Sequence, residues 1–301
     1  MKGFGWRCHT LSSDQLCQYV VYIHDNDKMK VSSIRTSFTN LKGFLSYFTS
    51  KLPDLSDVDI TLDGLSRCSV QTIKQASPIQ GEHLAKLEKL FTGYDFDASN
   101  ATTSRTYLTV DKLQFITIST VAHNGSFRIN ELLNMTWDNV LKTDNGYRLT
   151  IDHSKMNQQG PPQDVFVIYH DGNHTSGASW LDIYKQRCPS HYWVFPHLSK
   201  ENIPLPYSQF NRSVKYYTKQ MGLDAKLFSS HSFRSGCTTD MIEAQVHPEN
   251  IRKHARWASM DMISRYSRPD EYTWQSTLQD IFDGTGGSHR AKKPRGSSPH
   301  L

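Results

Sequence analysis

Apolar residues recur at helical spacing through the first quarter of the chain. Leu16, Tyr19, Val20 and Ile23 fall on one stripe, predicting a helix capped by Ser12 or Ser13 and broken at Asp25-Asn26-Asp27. A second stripe of Ile34, Phe38, Leu41, Leu45 and Phe48 predicts a helix that starts at Ser32 or Ser33 and stops before Pro53. With shorter helices expected over 62–67 and 69–74, residues 10–75 read as a bundle of roughly four helices.

After Ala76-Ser77-Pro78, which reads as a linker because proline removes a helical N–H, Leu84, Leu87 and Leu90 mark the core face of a helix over 80–91. A polar loop over 93–106 is followed by an apolar helix over 110–121, and an Asn124-Gly125 turn delivers the chain to Arg128, which opens a new helix. The period then changes to two. Residues 147–151 and 164–169 read as strands joined by a polar connection over 155–162. Helical spacing returns over 178–187 (Trp180, Ile183, Tyr184) and 207–221 (Phe210, Val214, Tyr217), with Arg212, Lys215 and Lys219 on the outer face of the latter. The small residues after Arg234, Ser235-Gly236-Cys237, allow a helix to pack closely on a neighbour. Pro248 starts a further helix toward Arg256 and Trp257, residues 261–266 form a short one, and 271–282 an amphipathic one with Trp274, Leu278, Ile281 and Phe282. This pattern predicts a mainly α fold with a small β-hairpin, divided into 1–76, 77–283 and a disordered basic tail over 284–301.

The 301 residues suffice for two cores, and a formal net charge of +5 tolerates a polyanionic partner without demanding one. Five cysteines, an odd number with no C-x-x-C spacing, argue against a disulfide framework or a zinc site and fit a reducing compartment. His231, His247 and His254 lack metal-ligand spacing, so neither metal nor cofactor is expected. No run of apolar residues is long enough to span a membrane and the N-terminus has no signal-peptide core, which predicts a soluble intracellular protein without membrane contact. The basic cluster at 290–295 would suit nuclear import in a eukaryotic host, or a nonspecific phosphate contact.

Candidate chemistry concentrates in two stretches. His231 and Arg234 are three residues apart, and a helix capped by Ser229 or Ser230 would project both from its first turn, where free N–H groups and a guanidinium fork suit phosphate. Taken singly, such a pair is common on helix surfaces, and a lone tyrosine such as Tyr266 is more often a packing residue. Upstream lies Arg128-Ile129-Asn130-Glu131-Leu132, in which Glu131 sits one turn from Arg128 and can hold its guanidinium or form only a surface ion pair.

Together these stretches resemble the catalytic domain of the tyrosine recombinases, the phage-integrase family. The resemblance assigns one active site to Arg128, Lys155, His231, Arg234, Trp257 and Tyr266, with Trp257 nine residues before the tyrosine and Glu131 in support. It implies that Arg128 and Arg234 grip a scissile phosphate, His231 and Trp257 complete the cage, Tyr266 attacks to give a 3′-phosphotyrosine, and the hairpin Lys155 protonates the leaving 5′ oxygen. It also implies an N-terminal helical core-binding (SAM-like) domain closing a clamp on double-stranded DNA with a mixed α+β integrase-type catalytic domain. Lys28, Lys30, Arg35, Lys42, Arg212, Lys215 and Arg256 are the candidate DNA contacts, and the terminal helix would link protomers into a homotetramer on synapsed sites. The basic tail suggests similarity to the recombinases of eukaryotic mobile elements such as Cryptons. Two alternatives stay open: strand rejoining like that of a type IB topoisomerase, and a DNA-binding protein that keeps the fold but no longer cuts.

Overall fold

The computed structural model describes residues 12–47, 55–68, 76–93, 108–152, 161–170, 176–188, 192–200 and 202–264. The chain divides into two compact units, Met1–Lys74 and Gln75–Leu301.

The first unit contains helices α1 (Ser13–Asp25), α2 (Val31–Ser46) and α3 (Ser56–Cys68) among its described residues. Ser12 caps α1 by accepting from the Gln15 amide, while the Gln15 side chain accepts from the Ser12 amide. Leu16, Val20 and Ile23 of α1 meet Val31, Ile34 and Phe38 of α2 and Val58 and Leu62 of α3 in one core, each contributing about 1.5–3 kcal/mol by leaving water. Two exposed polar ties link α3 to its neighbours: Ser13 to Asp57 at 2.8 Å and Arg35 to Asp63 at 2.6 Å. The structure corrects the sequence reading in several places. Helix α2 begins at Val31, ahead of the serines expected to cap it, and ends at Ser46, with Leu41 exposed rather than on the core stripe. The helix expected over 62–67 begins at Ser56, where Asp57 and Asp59 complement its positive end. Phe48, Pro53 and the segment 69–74 lie outside the described residues.

In the second unit, α4 (Gly81–Thr92) and α5 (Val110–Asn124) lead to the short α6 (Ile129–Leu133) and a 3-10 turn, Trp137–Asn139, with another, Ala225–Leu227, further on. A three-stranded antiparallel sheet follows in the order β1 (Val140–Thr143), β2 (Gly146–Ile151), β3 (Gln163–Ile168). Its register places Leu149 beside Val140 and Val165, so Tyr147, Leu149, Ile151, Val165 and Val167 turn inward. Helices α7 (Gly177–Arg187), α8 (Tyr207–Gln220), α9 (Ser232–Glu243), α10 (Pro248–His254) and α11 (Asp261–Ser264) complete it. Helix α5 is buried nearly all round, from Leu113 to His123, and forms the spine of the core. Phe115 packs against Phe210 and Tyr217 at ring separations of 5.4 and 4.6 Å. The fold is thus mainly α with a small antiparallel sheet, as the periodicities predict.

Three further differences lie in this unit. Strand β1 was not expected: Val-Leu-Lys-Thr is a short edge strand whose burial does not alternate. Leu90, placed on the core face of α4, is 42% exposed. The Ala76-Ser77-Pro78 stretch is no free tether, because Ser77 donates to the Leu227 carbonyl at 2.7 Å and Ile79 to that of Ser232 at 2.9 Å. That docking requires Gly236, where any Cβ would run into the Ile79 carbonyl and lie 3.0 Å from the Gln80 nitrogen.

Candidate active site

The N-terminus of α6 is tied back by its own Glu131 side chain. Arg128 occupies the N-cap position in extended conformation, its amide donates to Glu131 Oε2 at 2.9 Å, and its Nη1 donates to Glu131 Oε1 at 2.8 Å. The Glu131 side chain is only 5% exposed, so this is no solvated surface pair and its Coulomb term is weakly screened. About a third of the Arg128 side chain remains exposed, and it lines a cleft of about 620 Å³.

His231 reaches the same cleft from the other half of the unit. It is not on a helix capped by Ser229 or Ser230. Helix α9 starts at Ser232, His231 itself is the N-cap residue, and the serines build the preceding turn: the Ser229 amide donates to Ser232 Oγ at 2.9 Å and the His231 amide to Ser229 Oγ at 3.3 Å. The Ser230 amide donates to Asn211 Oδ1 at 3.0 Å and its hydroxyl to the Tyr207 phenol at 2.7 Å, tying this turn to α8. His231 is an exposed residue, yet burial of its ring, reinforced by the charges of Arg234 and Arg128, holds the imidazole below the ordinary histidine value. It is therefore neutral near pH 7 and able to accept a proton. Tyr192 and Trp193, whose rings meet edge-on at 5.0 Å, form another wall of the cleft, which no helix or strand pattern singled out.

Arg234 does not line this cleft. It is 1% exposed, donates from Nη1 to the Ser126 carbonyl at 2.6 Å and from Nη2 to the Ala255 carbonyl, and lies 5.9 Å from the centre of the Trp257 ring. Trp257 is a packing residue as well: 5% exposed, it joins Ile251 and Ala255 in a small core with Met241, Ile242 and Met262. Arg252 fixes its position, chelating Glu249 at 2.8 and 2.7 Å while donating to the Trp257 carbonyl at 2.8 Å.

Three candidate DNA contacts are otherwise engaged. The Arg256 side chain is 8% exposed and donates to the Gly125 carbonyl at 2.9 Å, the Ser126 carbonyl at 3.0 Å and Glu131 Oε2 at 3.0 Å, so it faces the interior and not a ligand. Lys215 is turned off the outer face of α8 and directs its ammonium at the carbonyls of Ala225, at 2.7 Å, and Phe228, closing the loop after α8. Arg35 is paired with Asp63. Lys28, Lys30, Lys42 and Arg212 are exposed. Near the sheet, Lys142 and both Tyr147 and Tyr169 converge on Asp182 of α7, with Lys142 at 2.6 Å. Burial and this carboxylate raise the pKa of both phenols. Lys155 and Tyr266 lie outside the described residues. Among the described residues no cluster of histidine, cysteine and carboxylate side chains can hold a metal ion, and no helix is long and apolar enough to cross a membrane.

Similarity to known proteins covers the same ground. The phage integrase family matches residues 99–272, more than half of the chain. An integrase/recombinase XerD homolog of Selenomonas ruminantium is 27% identical over 164 residues, 53% of this chain and 48% of that protein, so the chain spans about half the length of this curated relative. Two solved structures share the fold at low identity. XerH site-specific recombinase, bound to a palindromic difH substrate in a post-cleavage complex, is 12% identical with a TM-score of 0.60 over 91% of this chain and 70% of its own. A lambda integrase dimer bound to a COC′ core site is 15% identical with a TM-score of 0.55 over 88% and 82%. With Arg128 and His231 meeting at one cleft and the family's match spanning both, the chain belongs to the phage integrase family of tyrosine recombinases.

Proposed function

We propose that this chain is a site-specific DNA recombinase that breaks and rejoins strands through a 3′-phosphotyrosine at Tyr266. The observation that carries the reading is the convergence of Arg128, anchored by the buried Glu131, with a neutral His231 on one open cleft. A guanidinium held from behind by a carboxylate presents its remaining donors as a fork to nonbridging oxygens, and a neutral imidazole beside it can take the phenol proton. Tyr266 then forms the P–O bond as the bond to the 5′ oxygen breaks, and Lys155 supplies the proton that this oxygen needs. The phosphotyrosine retains the energy of the broken phosphodiester, so a 5′ hydroxyl from another strand reverses the step with no added nucleotide.

In this reading the first unit is the core-binding half of a clamp on double-stranded DNA, with its Lys28, Lys30 and Lys42 and the second unit's Arg212 as phosphate contacts, and residues 271–282 join protomers into a tetramer. The burial of Arg234 favours a second reading, a protein that binds DNA without cutting it, since two of its donors are held by carbonyls. A nicked suicide duplex carrying the cognate site separates the two. The recombinase gives a denaturant-resistant protein–DNA adduct that Tyr266→Phe abolishes and Tyr272→Phe retains, with DNA binding nearly unchanged because many phosphate contacts hold the clamp. Binding without any adduct establishes the second reading, and an adduct lost only in Tyr272→Phe moves the nucleophile.

A further inference from the structure

Arg256 combines features that a surface arginine lacks. Its φ is +54°, a left-handed conformation that L side chains other than Asn and Asp rarely adopt. Its guanidinium lies 5.1 Å from the centre of the Phe127 ring and bonds to three acceptors from the segment before and within α6: the Gly125 and Ser126 carbonyls and Glu131. Burial lowers its pKa from the ordinary arginine value, and the neighbouring Glu131 opposes this. Glu131 thus sits between two guanidiniums. One oxygen serves Arg128 Nη1, and the other serves both the Arg128 amide and Arg256 Nη2.

The consequence concerns freedom of motion. Held by Arg128 alone, the Glu131 carboxylate can rotate about its side chain and carry the guanidinium with it. A third bond, from Arg256, which is itself anchored on two backbone carbonyls, restricts that rotation. Arg256 is also the residue immediately before Trp257, so the same bonds fix the turn that leads toward Tyr266. We propose that Arg256 is a positioning residue: through Glu131 it orients the Arg128 guanidinium at the cleft, and it ties the turn carrying Trp257 to the arginine helix. This deepens the recombinase reading and rests on it for its catalytic meaning, while the mechanical coupling stands on geometry alone.

Side-chain 15N relaxation at Arg128 Nε in the free full-length chain tests the coupling without any DNA. The wild type is expected to show an ordered Arg128 guanidinium. Arg256→Gly, which accommodates the left-handed turn, should lower its order parameter below about 0.6, on a scale where about 0.85 is rigid backbone. Glu131→Gln should lower it similarly, the double variant no further than either single one, and Arg256→Lys should restore part of it by keeping a charge at Glu131. A general loss of stability would move the melting temperature but not follow this non-additive pattern. An Arg128 signal unchanged in both Arg256→Gly and Arg256→Lys, or single effects that simply add in the double variant, overturns the proposal. Suicide-substrate cleavage is measured in parallel. Wild-type protein that makes no adduct counts against the recombinase reading and leaves the relaxation result to decide the role of Arg256.

Discussion

Arg234 and Arg256 donate to the same acceptor, the carbonyl oxygen of Ser126, at 2.6 and 3.0 Å. Ser126 is fully buried and has a φ of +47°, and the turn it forms is the one that delivers Arg128 to the cleft. Two arginines from the second half of the unit therefore brace the turn from which the first candidate catalytic arginine projects.

Arg234→Ala is expected to lower stability as well as any activity. It strips charged donors from two buried carbonyls and leaves space beside Trp257, a loss of about 2–4 kcal/mol in urea unfolding. Arg234→Lys retains a cation but only one point of donation, and should recover part of that loss. A change below about 1 kcal/mol for the alanine variant would show that Arg256 suffices at the Ser126 carbonyl and water replaces the guanidinium at that of Ala255.

Gly236→Ala tests the docking of residues 79–80 on α9. An added methyl meets backbone rather than a yielding side chain, so segment or helix must shift and the Ile79–Ser232 hydrogen bond is strained. The expected cost is about 1–3 kcal/mol or more, read from the urea midpoint, with faster amide exchange at Ile79. Unchanged exchange at Ile79 would show that the approach is looser than the structure has it.

The arginine-helix start was legible because it is local, Arg128 and Glu131 meeting through one helical turn, whereas the three-residue spacing of His231 and Arg234 does not bring both to the cleft, since Arg234 turns inward to the Ser126 and Ala255 carbonyls. The role of Arg256 was not legible, since its partners lie 125–131 residues earlier and nothing in Arg-Trp announces a left-handed backbone. Lys215 misled for a related reason. Helical periodicity places it outward, but a long flexible side chain can curl back to carbonyls after the helix, and here it does. Of the two serines that could cap α1, Ser12 does so, while neither Ser229 nor Ser230 caps α9, because a serine one or two residues further out caps only if the helix starts where expected, and Ser232 takes up the Ser229 amide instead.

Stability should fall as pH drops below 6.5. His83, His231 and His254 are all held below that ordinary value, in each case first by burial; in His254 a hydrogen bond with the Asn124 carbonyl at 2.9 Å opposes the shift without cancelling it. The sign follows from linkage: between pH 6.5 and the lowered values the unfolded chain binds protons that the folded one refuses, so unfolding gains. Asp240 adds a second loss below 3.8, because hydrogen bonds from His123, the Gly81 amide and Gln80 outweigh its burial and keep it ionised. Urea midpoints measured from pH 7.5 to 5 should decline steadily, and His254→Gln should flatten the slope. A midpoint independent of pH over that range would show that these imidazoles titrate normally.

Lys155 is separable from the arginines by the atom it serves. If it protonates the leaving 5′ oxygen, Lys155→Ala should slow cleavage of ordinary DNA by about 10²–10⁴-fold, the range for losing a general acid. Replacing the bridging 5′ oxygen by sulfur removes the need, since a thiolate departs without a proton, and the variant should then cleave at nearly the wild-type rate. Arg128→Ala should stay slow on both substrates, because its guanidinium acts on nonbridging oxygens whose charge develops whichever atom leaves. An equal defect of Lys155→Ala on oxygen and sulfur would move the acid elsewhere. His231 is the candidate already at the cleft, whereas Lys142 is held by Asp182.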